Sequence, residues 1–185
     1  MDTYVIGTFI NNCEIKWRTI EGFAEAVEHL RVMTNVYVEN NIIRASPEVC
    51  DEVNKFLQKP LRLLTLLNII DWISLIRGLY DFNGELMDPE PSLDIPNLVL
   101  SIRVPSKGFG LVVRIVLKML GIDSNIFPSN DGVYIVIHNR DSIARFINTI
   151  KPYLNPEENF VLRDKWAKHY ANHGNPIILI PTQEG

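Results

Sequence analysis

The sequence predicts an α+β fold built from two related αββαββα-type repeats, the first of them shortened. Residues 4–12 and 75–83 are apolar helical segments, each with a central glycine and a final asparagine. Each is followed by predicted strands and helices in a similar order. We therefore expect a first repeat over 1–70, a second over 71–174, and an apolar, proline-bracketed tail over 175–185.

The second repeat has the clearer pattern. Apolar residues recur at helical spacing over 71–83, and Gly84 ends this helix. Alternation over 98–104 predicts a half-buried strand, and the segment from Asn83 to Ser106 has room for two strands. The remaining predictions are a helix over 106–121, a hairpin over 124–127 and 132–138, a helix over 142–153 capped by Asp141, and a helix over 156–172.

The first repeat follows the same order with one strand fewer, because the segment between Asn12 and Thr19 has room for only one. We expect that strand over 14–17, after a helix over 3–12. The later elements are a helix over 20–30 capped by Thr19, strands over 32–38 and 42–45, and a helix that starts at Ser46 and runs to 57.

Composition restricts the class of protein. The chain has 185 residues and 46% apolar content, enough for one globular domain or two fused repeats. It has no run of 18 apolar residues and no signal-peptide pattern, so we expect a cytoplasmic protein without membrane contact. Cys13 and Cys50 have no CxxC partner, and we interpret them as reduced, partly buried thiols. A net charge of −4 gives no support for binding nucleic acid.

The paired helices resemble the LAGLIDADG motif of homing endonucleases. Residues 116–127, 132–137 and 147–152 are also similar to the segments after the family's second motif. The chain looks most like the compact archaeal single-chain members that carry two motif copies. The resemblance implies that the two helices pack along their length at Gly7 and Gly78, and that the residue five places after each glycine is a metal-holding carboxylate.

Both of those positions are amides here, Asn12 and Asn83. An amide oxygen brings no negative charge to Mg²⁺, and one unit charge at about 4 Å is worth about 4 kcal/mol at an effective dielectric constant near 20. We therefore expect no catalytic residue, no metal and no cofactor. Mg²⁺ would enter only if Asp81, Glu14 or Glu85 replaced the amides, and each of these is more simply interpreted as a solvated or capping charge.

In the family, the strands after each motif enter the major groove with basic and amide side chains. Acidic residues dominate the corresponding hairpin of the second repeat and would repel phosphates: Glu85, Asp88, Glu90 and Asp94. The residues with side chains suited to a nucleic-acid contact are Lys16, Trp17, Arg18, Arg103 and Lys107.

Together, the amides and the acidic hairpin predict a catalytically inactive, repurposed LAGLIDADG-like protein. It would act as a binding or adaptor factor for structured nucleic acid or for a protein complex, as a monomer or as a subunit of a larger assembly. Two alternatives stay open. One is an active or nicking site-specific DNA endonuclease that uses displaced carboxylates. The other is an RNA maturase-like or transcription-related binding factor.

Overall fold

The computed structural model describes residues 2–17, 22–92 and 97–154, with residues 158, 162 and 166. None of the helices in these ranges combines the length and apolar character that a bilayer crossing requires. The described elements are α1 (Thr3–Phe9), β1 (Glu14–Lys16), α2 (Gly22–Met33), β2 (Val36–Glu39), β3 (Ile42–Ala45), α3 (Pro47–Gln58), a 3₁₀ turn (Pro60–Arg62), α4 (Leu63–Leu66), α5 (Ile69–Asn83), β4 (Gly84–Met87), β5 (Val99–Val104), α6 (Lys107–Met119), β6 (Asn125–Ser129), β7 (Gly132–Ile137) and α7 (Arg140–Ile150).

The strands form two antiparallel sheets, one in each repeat. The first sheet has three strands in the order β1-β3-β2, and the second has four in the order β4-β5-β7-β6. In the first sheet β1 pairs directly with β3, with Ile15 opposite Ile43. In the second, β4 and β5 precede the equivalent hairpin, and β5 pairs with β7. The predicted loss of one strand from the first repeat is confirmed.

The two motif helices α1 and α5 pack against each other at the centre of the molecule. A Cβ atom added at Gly7 would overlap the Leu75 carbonyl oxygen and lie 2.8 Å from its carbon. One added at Gly78 would overlap the Tyr4 carbonyl oxygen and lie 3.0 Å from its carbon. Glycine at both places therefore lets the two helix backbones touch. We call this contact the helix seam.

The ends of the motif helices follow from local hydrogen bonding. Asn68 and Asp71 form a capping box that starts α5 two residues before the predicted 71. Helix α1 ends at Phe9, whereas the sequence predicted residue 12. The difference has a local cause, because the Asn12 side-chain oxygen accepts a hydrogen bond from Glu14 N at 3.3 Å and favours a turn.

Two other predicted boundaries are wrong for similar reasons. The strand predicted over 32–38 starts at Val36, because Val32 and Met33 complete α2 and Thr34 N still donates to Leu30 O. Helix α7 is capped by Asn139 and not by Asp141. The predicted helix over 156–172 lies outside the described residues, apart from 158, 162 and 166, and so does the tail over 175–185.

The two cysteines form a disulfide, so their interpretation as reduced thiols is wrong. Their Cα atoms lie 5.8 Å apart, within the range that a disulfide spans. The strand ladder brings them together, because Ala45 N donates to Cys13 O and Cys50 lies in the first turns of α3, just after β3. Sequence spacing alone carries no signal for this pairing.

Candidate functional site

A cleft of about 540 Å³ lies where α1 and α5 end, between the exposed faces of the two sheets. Both repeats supply its walls, since β1 contributes one side and β5 and β7 contribute the other. The residues that line it are Asn11, Asn12, Glu14, Ile15, Lys16, Phe82, Asn83, Glu85, Ser101, Arg103, Val104, Pro105, Gly132, Val133 and Tyr134.

The two repeats deliver equivalent residues to this cleft. The spacing that relates Gly7 to Gly78 also relates Asn12 to Asn83 and Glu14 to Glu85. Because the motif helices meet at their glycines, the residues that follow each helix reach the same place. Tertiary structure thus brings together both predicted amide positions and two of the three predicted substitute acids.

Two asparagine side chains of the cleft, Asn11 and Asn83, join the two repeats. Asn83 is the last residue of α5, and its side-chain nitrogen donates to Thr8 O of the other motif helix at 3.3 Å. Asn11 donates to Arg103 O on β5 at 2.8 Å. Asn12 is exposed and bonds Glu14 N as described above. Asn11 and Asn83 therefore hold the two repeats together, whereas Asn12 fixes the turn before β1.

The two acids in the cleft differ in their surroundings. Glu14 accepts a hydrogen bond from Arg44 Nε at 2.8 Å, and Arg44 also lies 3.5 Å from Glu39. Both pairs are well exposed, so each contributes little to stability. Arg44 shares its one positive charge between the two carboxylates, so the group of three keeps a net charge of −1. Glu85 is exposed on β4, opposite Ser101 of β5.

Asp81 lies inside the protein and does not line the cleft. Its two carboxylate oxygens accept hydrogen bonds from Tyr4 OH and Tyr153 N, both at 2.8 Å, and Arg77 Nε is 3.8 Å away. Burial raises the pKa of Asp81 to about 7, although these donors and Arg77 favour the charged form. The interpretation of Asp81 as a solvated charge is therefore wrong, and we assign it a structural role in joining α1, α5 and the segment after α7.

The donor set in the cleft does not fit a divalent metal. Mg²⁺ and Ca²⁺ prefer negatively charged oxygen ligands. The cleft offers three amide side chains, one carboxylate already paired with an arginine, and Glu85. Over the residues that the structure describes, no three His, Cys, Asp or Glu side chains lie close enough together to hold a metal ion.

The predicted nucleic-acid contacts are only partly brought together. Lys16 and Arg103 line the cleft from opposite sheets. Trp17 packs with its ring edge toward Phe23, 5.3 Å between centroids, because it lies on the core-facing side of its segment. Lys107 is exposed at the start of α6 and does not line the cleft. Arg18 lies outside the described residues.

Few of the acids predicted for the hairpin of the second repeat lie on its strands. Glu85 is the one predicted acid on a strand, since Asp88 and Glu90 lie in the segment after β4. Asp94 falls outside the described residues. Acids and bases are balanced on the exposed sheet faces: Glu14, Glu39 and Glu85 against Lys16, Arg44 and Arg103. The faces are therefore close to neutral.

An aromatic row crosses the exposed face of the second sheet, and the sequence analysis missed it. Arg103 lies opposite Tyr134, and Tyr134 lies opposite Phe127, so the three side chains share one face. Phe127 is 61% exposed. We call these three residues the aromatic row. The alternation in 132–137 is a usable sequence signal, because it places Tyr134 and Val136 on one face of a strand.

Several solved structures have the same fold as this chain. The homing endonuclease I-DmoI in complex with its target DNA superposes with a TM-score of 0.52 and 19% identity, covering 81% of this chain and 94% of that one. The N-terminal LAGLIDADG domain of DUF199/WhiA superposes with a TM-score of 0.54 and 12% identity, and the match covers 85% of this chain and 86% of that domain. The fold is LAGLIDADG-like.

Full-length DUF199/WhiA from Thermatoga maritima matches with a TM-score of 0.56 and 14% identity. That match covers 96% of this chain and 62% of the longer protein. No protein-family model matches the sequence, and no curated protein matches it. At these identities the likeness establishes the fold, so the role of the chain has to be argued from its own cleft.

Proposed function

We propose that this chain binds nucleic acid on a LAGLIDADG-like scaffold and does not cleave it. The observation that carries the proposal is the pair of amides, Asn12 and Asn83, at the two positions where the resemblance calls for carboxylates. Two-metal hydrolysis requires negative ligands to hold the ions and stabilise the developing phosphorane charge. This cleft lacks them at the decisive positions.

The nearby acids do not repair that loss. Asp81 is buried behind the helix seam with both oxygens accepting hydrogen bonds. Glu14 is already hydrogen-bonded to Arg44, a cation that would oppose a metal ion at the same carboxylate. Glu85 alone leaves a single carboxylate, which is too few for a two-metal site. The endonuclease alternative with displaced carboxylates therefore has little chemical support.

Binding of nucleic acid is supported by the shape and the surfaces of the cleft. Two sheets present their exposed faces on either side of it, and I-DmoI, which has this fold, is known in complex with its target DNA. Lys16 and Arg103 supply one cation from each repeat, and amide side chains can both donate and accept hydrogen bonds at base edges.

The test joins a binding assay to a cleavage assay. Labelled duplex DNA, structured RNA and single strands are titrated with the protein at low and high salt, and plasmid and oligonucleotide libraries are incubated with Mg²⁺ or Mn²⁺. We expect salt-sensitive binding to at least one nucleic acid and no specific cleavage. Glu85→Gln serves as the control, because loss of a weak cutting activity in this variant would identify Glu85 as a catalytic ligand.

Two outcomes would contradict the proposal. Specific double-strand cuts or nicks by the unaltered chain would support the endonuclease alternative. No binding to any nucleic acid would leave a protein partner as the better interpretation. Preferential binding of structured RNA would agree with the proposal and would direct it toward the maturase-like alternative.

A further inference from the structure

The aromatic row is an unusual surface for a sheet that faces solvent. Phe127 is 61% exposed on the edge strand β6, and Tyr134 beside it is half-buried. Val136 lies in the next row of the same face, and Met87 lies in the row beyond it, on the opposite edge strand β4. A contiguous exposed apolar and aromatic surface rimmed by polar groups is typical of a binding site.

Hydrogen bonds to one turn hold the row in place. The Tyr134 hydroxyl donates to the Asp131 carboxylate at 2.6 Å, and Arg103 Nη2 donates to Asp131 O at 2.8 Å. The Arg103 side chain also lies over Gly132, where an added Cβ would be 3.0 Å from Arg103 Nε. A surface fixed in this way loses little side-chain entropy when a ligand binds.

The chemistry of the row fits an unpaired strand better than a duplex. A duplex presents two lines of phosphates and hides the flat faces of its bases, so it needs a basic surface. Here the row carries one cation, Arg103, and two acids lie beside it, Asp131 at its turn and Glu85 in the next row. Unpaired bases are flat and neutral, and each can stack on an aromatic side chain.

The cleft continues from this row toward the helix seam. Tyr134 and Arg103 line the cleft, together with Ser101, Asn12 and Asn83. A volume of about 540 Å³ is within the range for small-molecule and cofactor sites. The side chains that line it can exchange hydrogen bonds with a base edge or a sugar.

We infer that this face binds an unpaired nucleic-acid strand, with bases stacked on Phe127 and Tyr134 and the phosphate chain beside Arg103. The strand leads into the cleft, where the amides contact a base edge. This inference rests on the proposed nucleic-acid binding and specifies its ligand. Because few cations take part, we expect affinity to fall less than about 10-fold between 50 and 200 mM salt.

The experiment measures fluorescence anisotropy with labelled single strands of about 12 nucleotides. A DNA and an RNA of the same sequence are used, each also as its duplex. We expect a single strand to bind at least about 10-fold more tightly than either duplex. A difference in affinity between the DNA and the RNA single strand would show that the protein distinguishes deoxyribose from ribose.

Variants locate the binding to the row. Phe127→Ala should weaken single-strand binding by about 10-fold, as should Tyr134→Ala, whereas Tyr134→Phe keeps the ring and should retain most of the affinity. Leu61→Ala is the matched control, because Leu61 is a large apolar side chain, 69% exposed, that lies on the 3₁₀ turn outside the sheet face. Urea unfolding checks that each variant folds.

The outcomes separate this inference from the proposed function. Preference for a duplex, or single-strand binding unchanged in Phe127→Ala, would overturn the inference and leave nucleic-acid binding in place. Absence of binding to every nucleic acid would overturn both and would point to a protein ligand for the aromatic row. An equal loss in Leu61→Ala would also overturn the assignment to this face.

Discussion

Replacing Gly78 with alanine tests the helix seam on which the whole site depends. An alanine in an exposed helix interior is normally more favourable than glycine by about 1 kcal/mol. At Gly78 the added Cβ would overlap the Tyr4 carbonyl oxygen and lie 3.1 Å from Thr8 N. These are backbone atoms of a buried helix and have no flexible end that could turn aside.

The helices would have to separate by on the order of 1 Å to accept the methyl group, in a core that is already closely packed. Overpacking of this kind costs typically about 1–3 kcal/mol, and contact with backbone justifies the upper end. After the helix propensity gain, the net loss is about 2 kcal/mol. With a urea dependence of about 2 kcal/mol per molar, the unfolding midpoint should fall by about 1 M.

Gly108→Ala is the matched control, measured by urea unfolding followed by circular dichroism. Gly108 lies in the first turn of α6, is exposed, and an added Cβ meets only Ser106 Oγ at 3.9 Å. The midpoint of this variant should stay or rise slightly. If Gly78→Ala were as stable as the unaltered chain, the two motif helices would not be in backbone contact, and the geometry derived for the cleft would be refuted.

Three further predictions concern the acid, the disulfide and the amides. Burial raises the pKa of Asp81 from 3.8 to about 7, so the folded state binds an extra proton between those values and stability should fall as pH rises through that window, by up to about 4 kcal/mol. The free energy of unfolding, measured with urea between these pH values, should vary less with pH in Asp81→Asn than in the unaltered chain. The same pH dependence in both proteins would contradict the raised pKa of Asp81. Reduction of the Cys13–Cys50 disulfide, which spans 37 residues, should lower the free energy of unfolding by about 4 kcal/mol. The stability of the control variant Cys13→Ser should not change with reductant. Two titratable thiols in the unreduced, unfolded protein would exclude the disulfide. The double variant Asn12→Asp with Asn83→Asp should bind Mg²⁺ more tightly by calorimetry than the unaltered chain, still without specific cleavage, and equal Mg²⁺ binding by both would show that the amides are not the reason for weak metal affinity.

The parts of the site that the sequence predicted are those set by short-range spacing. The interval from Gly78 to Asn83 lies within one helix, and the first repeat has the same spacing from Gly7 to Asn12, although α1 ends at Phe9. The missing strand was predictable too, because the chain between Asn12 and the next helix is too short for a pair. Helical and strand periodicities act over a few residues, so a single sequence carries them directly.

Asp81 is the residue whose environment the sequence predicted wrongly. An aspartate two residues before the end of a helix is usually solvated. Its hydrogen-bond donors, Tyr4 and Tyr153, come from distant parts of the chain and reach it only after α1 and the end of α7 have packed around α5. The same holds for Cys13 and Cys50, which meet because β1 pairs with β3. No local pattern encodes these contacts.

The sequence by itself determined that two glycine-centred helices carry amides, Asn12 and Asn83, where the resemblance calls for charged ligands. That conclusion needs the resemblance, which names the two positions, together with residue identity and the charge requirement of a metal site. The tertiary structure decided which other side chains share the cleft, because packing of the repeats buries Asp81 and exposes the aromatic row. Burial and strand register are properties of the assembled sheets, and they decide which side chains share the neutral, aromatic exposed face.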